Sequence, residues 1–215
     1  MRYFRVMTDR APDPARRSER ARRAILEAAL ALCRERGYDG TTIEAIAADA
    51  GVGKQTIYRW WPSKGAVIMD ALNEAGVTSA AFGDTDDVRA DLRKQMTSVV
   101  RLMNDAQFAP IYRGVIAATQ SDPDLAQVLR ERLIAPRVAA CAARLRRAQQ
   151  DGQLRPELNP ETLVEVLYGP LYYRLLLPGR RLDRALVDTV LDVVFAGAGL
   201  APGVTVTAGA PAARP

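Results

Sequence analysis

The stretch "TTIEAIAADAGVGKQTIYRWWPSK", Thr41 to Lys64, sets the two tryptophans of the chain side by side between cations and a proline. The Thr41-Thr42-Ile43-Glu44 spacing is that of a capping box, in which the Thr41 hydroxyl accepts the Glu44 amide and the Glu44 carboxylate reaches back. A short helix is therefore predicted to open here, burying Ile43, Ile46, Ala47 and Ala50 on one side. Gly51 then lets the chain turn through a left-handed conformation before Val52. A further short helix runs from about Gly53 to Trp60 until Pro62 breaks it, and Ser63 caps a fourth over about 63–75. Helix, tight glycine turn and helix form a helix-turn-helix arrangement.

The two faces of the helix after Gly53 carry different chemistry. At about 100° per residue, Ile57 and Trp61 share one face and point with Val52 toward the preceding helices, so Trp61 reads as a core peg. The other face presents Gln55, Thr56, Tyr58 and Arg59, with Lys54 in the first turn. Gln pairs with adenine N6 and N7, Arg with guanine O6 and N7, and the Thr methyl with thymine, which is what reading a major groove demands. The hydroxyls of Thr41 and Thr42, the Lys54 amine and the Trp60 indole N–H are suited to phosphates, which fix register without reading sequence. Lys64, at the start of the next helix, adds a second anion site for the same strand.

Working outward, residues 1–17 lack periodicity and read as a disordered basic arm. Residues 1–36 hold ten Arg against five acids, while the rest of the chain is near neutral, so the formal net charge of +5 is concentrated at this end. From Ser18 an apolar stripe of Ile25, Ala28, Ala29, Leu32 and Cys33 predicts a helix ending at Gly37. Residues 18–75 thus form a helix-turn-helix DNA-binding domain. The small, acidic segment 76–87 opens a second domain, 76–200, with helical patterns at about 86–104, 107–121, 123–151, 160–177 and 183–197. The Pro-, Gly- and Ala-rich tail 201–215 is expected to be disordered. The fold class is all-α: an N-terminal three-helix helix-turn-helix domain plus a C-terminal helical-bundle regulatory and dimerisation domain.

Composition excludes more than it selects. The chain has no histidine, which removes Ser-His-Asp and Cys-His catalysis and HExxH zinc sites, and no phosphate-cradling glycine motif is present. No enzyme, cofactor or metal site is expected. Cys33 and Cys141 lie far apart without CxxC spacing and read as buried thiols. No apolar run reaches membrane-spanning length and no secretory leader is legible, so a cytoplasmic protein with no membrane partner is expected.

The segment "GYDGTTIEAIAADAGVGKQTIYRWWPSKGAVIMDAL", Gly37 to Leu72, resembles the DNA-binding domain of TetR/AcrR-type transcriptional regulators. The family pattern is matched at Gly51, Val52, Lys54, Thr56, Ile57, Tyr58, Trp60, Trp61, Ser63 and Lys64, whereas Gly53 stands where a Ser or Thr cap is common. This match covers the first third of the chain. "LNPETLVEVLYGPLYYRLLL", 158–177, is similar to the C-terminal regulatory domain of one subgroup. The resemblance implies a homodimer on double-stranded DNA, usually a repressor at a palindromic operator, released when a small-molecule effector of unidentified chemistry enters the C-terminal domain.

Apolar residues surround the axis of the 160–177 helix, so either it is central or it has a second partner. With the heptad-like 183–197 helix it is expected to close a four-helix interface between subunits through Leu167, Leu171, Leu186, Val190, Val193 and Val194. Pro170 should bend the first of these helices. Met96, Val100, Met103, Phe108, Tyr112, Tyr168 and Tyr172 are candidate effector contacts, although core packing explains them equally well. A competing class is a non-enzymatic helical adaptor with an incidental basic arm, which leaves the polar face around Gln55 and Arg59 without a purpose.

Overall fold

Most of the described helices start at a capping side chain, which fixes where each begins. The computed structural model describes residues 14–77, 83–177 and 179–198. Every regular element among them is helical. Helix α1 spans Pro14–Arg36 and starts four residues before the expected Ser18. Proline is suited to that first position because its missing N–H would have no acceptor there. Residues 14–17 of the expected arm therefore belong to α1; residues 1–13 and the tail 201–215 lie outside the described residues.

Helix α2 spans Ile43–Asp49, and its cap corrects the sequence reading. Thr42, not Thr41, is the N-cap, its hydroxyl accepting the Ala45 amide at 3.1 Å. Thr41 is fully buried and donates to the Gly37 carbonyl at 2.8 Å, closing the turn that follows α1. The register slips by one because two adjacent threonines both fit the motif and only the tertiary contact separates them. Glu44, freed from the box, pairs with Lys54 at 3.0 Å. Gly51 turns at φ 65°, a region costly to any residue with a Cβ, and leads into α3, Lys54–Tyr58. Gly53 caps α3 in an extended conformation without a side-chain bond. Ser63 caps α4, Lys64–Leu72, by accepting the Ala66 amide at 3.2 Å, and α4 runs into a π-helical turn, Asn73–Val77.

The remaining helices are α5 (Val88–Met103), α6 (Phe108–Ala118), α7 (Pro123–Leu129), α8 (Ala135–Gln150), α9 (Pro160–Leu176) and α10 (Arg184–Ala198). Asp87, Asp122 and Asn159 cap α5, α7 and α9 through the amides of Ala90, Leu125 and Thr162. The helix expected over 123–151 is divided by a π-helical turn, Arg130–Ile134. Pro136 accounts for this: its ring crowds the carbonyl four residues back, and the wider π turn just ahead relieves the clash. Proline also lies inside α9, at Pro170.

Helix α4 joins the two halves. It packs on α1 within the head and on α7 in the body. A Cβ at Gly65 would fall 2.4 Å from Leu125 Cδ1, so a larger residue there must displace the Leu125 side chain of α7. The body has its own polar lock. Asp91 and Arg144, both buried, pair at 2.8 Å; Arg144 also donates to the Thr85 carbonyl at 2.8 Å, and the Thr85 amide donates to Asp91 at 3.1 Å. Burial pushes the Asp91 carboxyl up, but the Thr85 amide and hydroxyl with Arg144 outweigh it and hold the group below the usual carboxylate range. This ties segment 83–87 to α5 and α8.

Candidate nucleic-acid interface and cavity

The outer face of α3 is polar and open. Lys54, Gln55 and Arg59 are exposed, Tyr58 is 51% exposed and Thr56 is half-buried. Behind them Ile57 and Trp61 are buried, so the helix divides as its periodicity predicts. The Trp61 indole does more than fill space: its Nε1 donates to Asp70 Oδ2 at 2.7 Å, satisfying a polar atom that burial would otherwise penalise. Trp60 is half-buried, edge-on to Trp61 with ring centroids 5.4 Å apart, and the Arg59 guanidinium lies 5.1 Å from its ring centroid.

Three residues expected at this interface behave differently from one another. Thr42 is exposed, and its hydroxyl accepts the cap bond while keeping its O–H to donate outward. Thr41 is interior and cannot reach a phosphate. Lys64 is half-buried and donates to the Tyr38 carbonyl at 2.9 Å over the Tyr38 ring at 4.1 Å, so it staples α4 to the turn after α1 with one of its three N–H donors. The Tyr38 hydroxyl is pushed up to about 12 by burial, with Asp122 adding to the shift. Tyr38 therefore stays neutral beneath that lysine.

The body holds a partly open cavity of about 80 Å³ lined by Gln95, Val99, Ile134, Arg137, Val138, Val164, Tyr168 and Tyr172. Of the residues expected to meet an effector, only Tyr168 and Tyr172 line it. Met96, Val100, Met103 and Tyr112 are packed into the core; Phe108, stacked on the Tyr112 ring at 5.0 Å, is buried too but lines a separate cavity of about 230 Å³ with Leu30, Leu72 and Ile111. Tyr112 still reaches the site indirectly, since its hydroxyl lies 2.7 Å from that of Tyr172. Tyr168 donates to Gln95. Burial raises the Tyr112 and Tyr168 hydroxyls far above the ordinary phenol value, so both remain protonated. Arg137 and Gln95 were not legible as wall residues, because nothing in the local pattern says which side of α5 and α8 faces a cavity.

The interface expected on α9 and α10 also needs correction. Leu167, Leu171, Leu186, Val190 and Val194 are buried inside the protomer; only Val193, 68% exposed, faces outward. The exposed apolar residues are Val166, Tyr173, Leu176 and Leu177 on and just after α9, with Val193 on α10. The sequence could not choose the face because both sides of α9 are apolar. α10 is oriented by burial of Leu186, Val187, Val190, Leu191 and Val194, and partly exposed ion pairs to α5 accompany it, Arg89 with Asp192 and Arg93 with Asp188, the latter at 2.7 Å.

Comparison with known proteins agrees with this two-part architecture. The model of bacterial regulatory proteins of the tetR family matches residues 25–71, and that of the tetracyclin repressor-like C-terminal domain matches residues 82–194. The chain belongs to the TetR family of transcriptional regulators. Among TetR relatives, the HTH-type transcriptional regulator YdeS of Bacillus subtilis is 34% identical over 181 residues, 84% of this chain and 91% of that one. A DNA-binding transcriptional repressor TetR of Mycobacteroides abscessus is 31% identical over 183 residues, 83% of this chain and 94% of that one. The crystal structure of the TetR family transcription regulator SCO0332 superposes with a TM-score of 0.71 at 38% identity, covering 85% of this chain and 99% of that chain. As a TetR regulator the protein binds DNA through its helix-turn-helix. Among the described residues, no helix is long and apolar enough to cross a membrane and no cluster of His, Cys, Asp or Glu could hold a metal.

Proposed function

We propose that the protein is a cytoplasmic, dimeric repressor that reads a palindromic operator with α3 and leaves it when a small molecule occupies the cavity of the body. The observation that carries this reading is the exposed set Gln55, Tyr58 and Arg59 on a helix whose opposite side is pinned by Trp61. Arg59 and Gln55 are the base-reading residues, and Lys54 with the exposed edge of Trp60 faces phosphate. One such helix spans only a few base pairs, so specificity calls for two copies at a fixed distance, about 34 Å or a multiple of it. The stripe Val166, Tyr173 and Leu176 with Val193 is the surface on which a second copy packs. Repression is supported by the M. abscessus relative, which is named a repressor.

The cavity, at about 80 Å³, has room for two or three waters and is smaller than typical ligand pockets of about 300 Å³ and more. An effector therefore enlarges it. The lining favours a molecule with an apolar side against Val99, Val138 and Val164 and an acceptor or negative group toward Arg137. Such an effector acts only by binding the DNA-free geometry better than the DNA-bound one.

Selecting bound fragments from the source genome, then measuring affinity against salt, tests the reading. The expected result is enrichment of a few inverted repeats, with a binding constant that falls as salt rises. No enrichment and no salt slope would favour the adaptor instead.

A further inference from the structure

Helix α3 has five residues, too few to hold an orientation by itself, so whatever fixes its C-terminal end also aims its reading face. The buried Ile57 and Trp61 pin that end, and one carboxylate sets the direction of the Trp61 indole. Asp70 Oδ2 accepts the Trp61 indole N–H at 2.7 Å, while Asp70 Oδ1 accepts from Arg132 Nη1 at 2.6 Å. Asp70 lies on α4 in the head; Arg132 lies in the π turn Arg130–Ile134 of the body. The same turn contributes Ile134 to the cavity wall, and α8 continues from it with Arg137 and Val138. We propose that Asp70 is a positioning residue for the DNA-reading helix, and that through Arg132 it is the point where the cavity wall acts on that helix. The proposal rests on the reading that α3 faces DNA and that the cavity takes an effector.

Two features make the link a switch and not a plain strut. A π turn carries one residue more than an α turn, so returning it to α register shifts its side chains by roughly 100° and takes Arg132 off Asp70. Leu133, 1% exposed, anchors the turn in the core, so movement of the wall is passed along the backbone and not absorbed by a loose side chain. Asp70 also has a second cation within reach of its charge, Arg22 on α1, whose present partner is Glu74. Losing Arg132 therefore leaves the carboxylate free to rotate toward α1. Because its two oxygens are rigidly related, that rotation changes the direction in which Trp61 is held.

The test uses the intact protein labelled with ¹⁵N. Its two tryptophans give two indole cross-peaks, and Trp60→Phe assigns them. Arg132→Gln should move the Trp61 cross-peak and leave that of Trp60 nearly in place. It should also weaken binding to a selected genomic fragment by roughly threefold to fivefold. The exposed pair contributes little to folding, so the melting temperature should stay within about 3 °C. Arg132→Lys should restore most of the cross-peak position and the affinity. Asp70→Asn keeps an oxygen for the indole but not the charge for Arg132; it should reproduce Arg132→Gln, and the double variant should add nothing further. An unmoved Trp61 cross-peak in Arg132→Gln, or additive effects in the double variant, would overturn the proposal. The spectroscopic arm needs no DNA, so a wild-type protein that failed to bind any fragment would count against the regulator reading and not against the link.

Discussion

The head and the body of this protein bury their helices by opposite strategies. In the head, α3 is strictly two-faced: Ile57 and Trp61 are interior while Gln55, Tyr58 and Arg59 are exposed, so one short helix separates folding from recognition. In the body, α9 is apolar all round, with Leu167 and Leu171 inside and Val166 and Tyr173 outside. Apolar residues there serve the core and an outer surface at once. The difference teaches that amphipathic contrast, more than hydrophobicity, makes a function legible, because only contrast says which way a side chain points.

The largest effects should separate pegs from surfaces. Trp61→Ala removes a fully buried indole and its bond to Asp70, and should cost about 3 to 5 kcal/mol in a denaturant titration. Trp60→Ala, half-buried, should cost less than half as much while still weakening DNA binding. Equal losses would mean that the head is not two-faced.

In the body the matching element is the buried Asp91–Arg144 pair. Asp91→Ala strands a buried guanidinium and should cost about 3 to 5 kcal/mol. The Asp91 carboxyl is held below its ordinary value in the folded protein, so its stabilisation is present at neutral pH and lost as pH falls through the folded value. Melting followed from pH 7 downward should show a steeper acid decline in the wild type than in Asp91→Asn.

The outer surface of the body sharpens the comparison next. Tyr173→Glu combined with Val193→Glu places like charges on the surface proposed for a second copy and should raise the dimer dissociation constant by roughly 100-fold in sedimentation velocity, with the melting curve of the protomer little changed. Val190→Glu with Val194→Glu should instead unfold the body, since both residues are interior. Smaller again are the effects expected at the residues proposed to read bases. Arg59→Ala and Gln55→Ala should each lose about 1 to 3 kcal/mol of discrimination between a selected site and its mutated half-site, without changing stability.

Much of the head was legible because its signals are local. The glycine turn at Gly51, the Ser63 cap and the peg at Trp61 stand where spacing put them, within a few residues of the groups they serve. Thr41 was misread because its side chain is claimed by the turn around Gly37, and no spacing rule records that claim; the same turn takes one donor of Lys64. In the body the helices were legible and their faces were not. Arg144 did leave a trace, since it shares a helical face with Cys141, Leu145 and Ala148, an odd place for a cation unless an acid waits across the gap. Its partner is 53 residues away in the chain, beyond any local pattern. The cavity wall and the Asp70–Arg132 contact are likewise tertiary, and no local pattern marks them.

The central claim, that two copies of α3 held by α9 and α10 read one operator, is tested most directly by hydroxyl-radical footprinting on a fragment selected from the source genome. Two protected segments related by a two-fold axis are expected, with centres about 34 Å or a multiple of it apart, both lost together in the Tyr173→Glu and Val193→Glu double variant. A single protected segment, or two that persist in that variant at unchanged protein concentration, would contradict it.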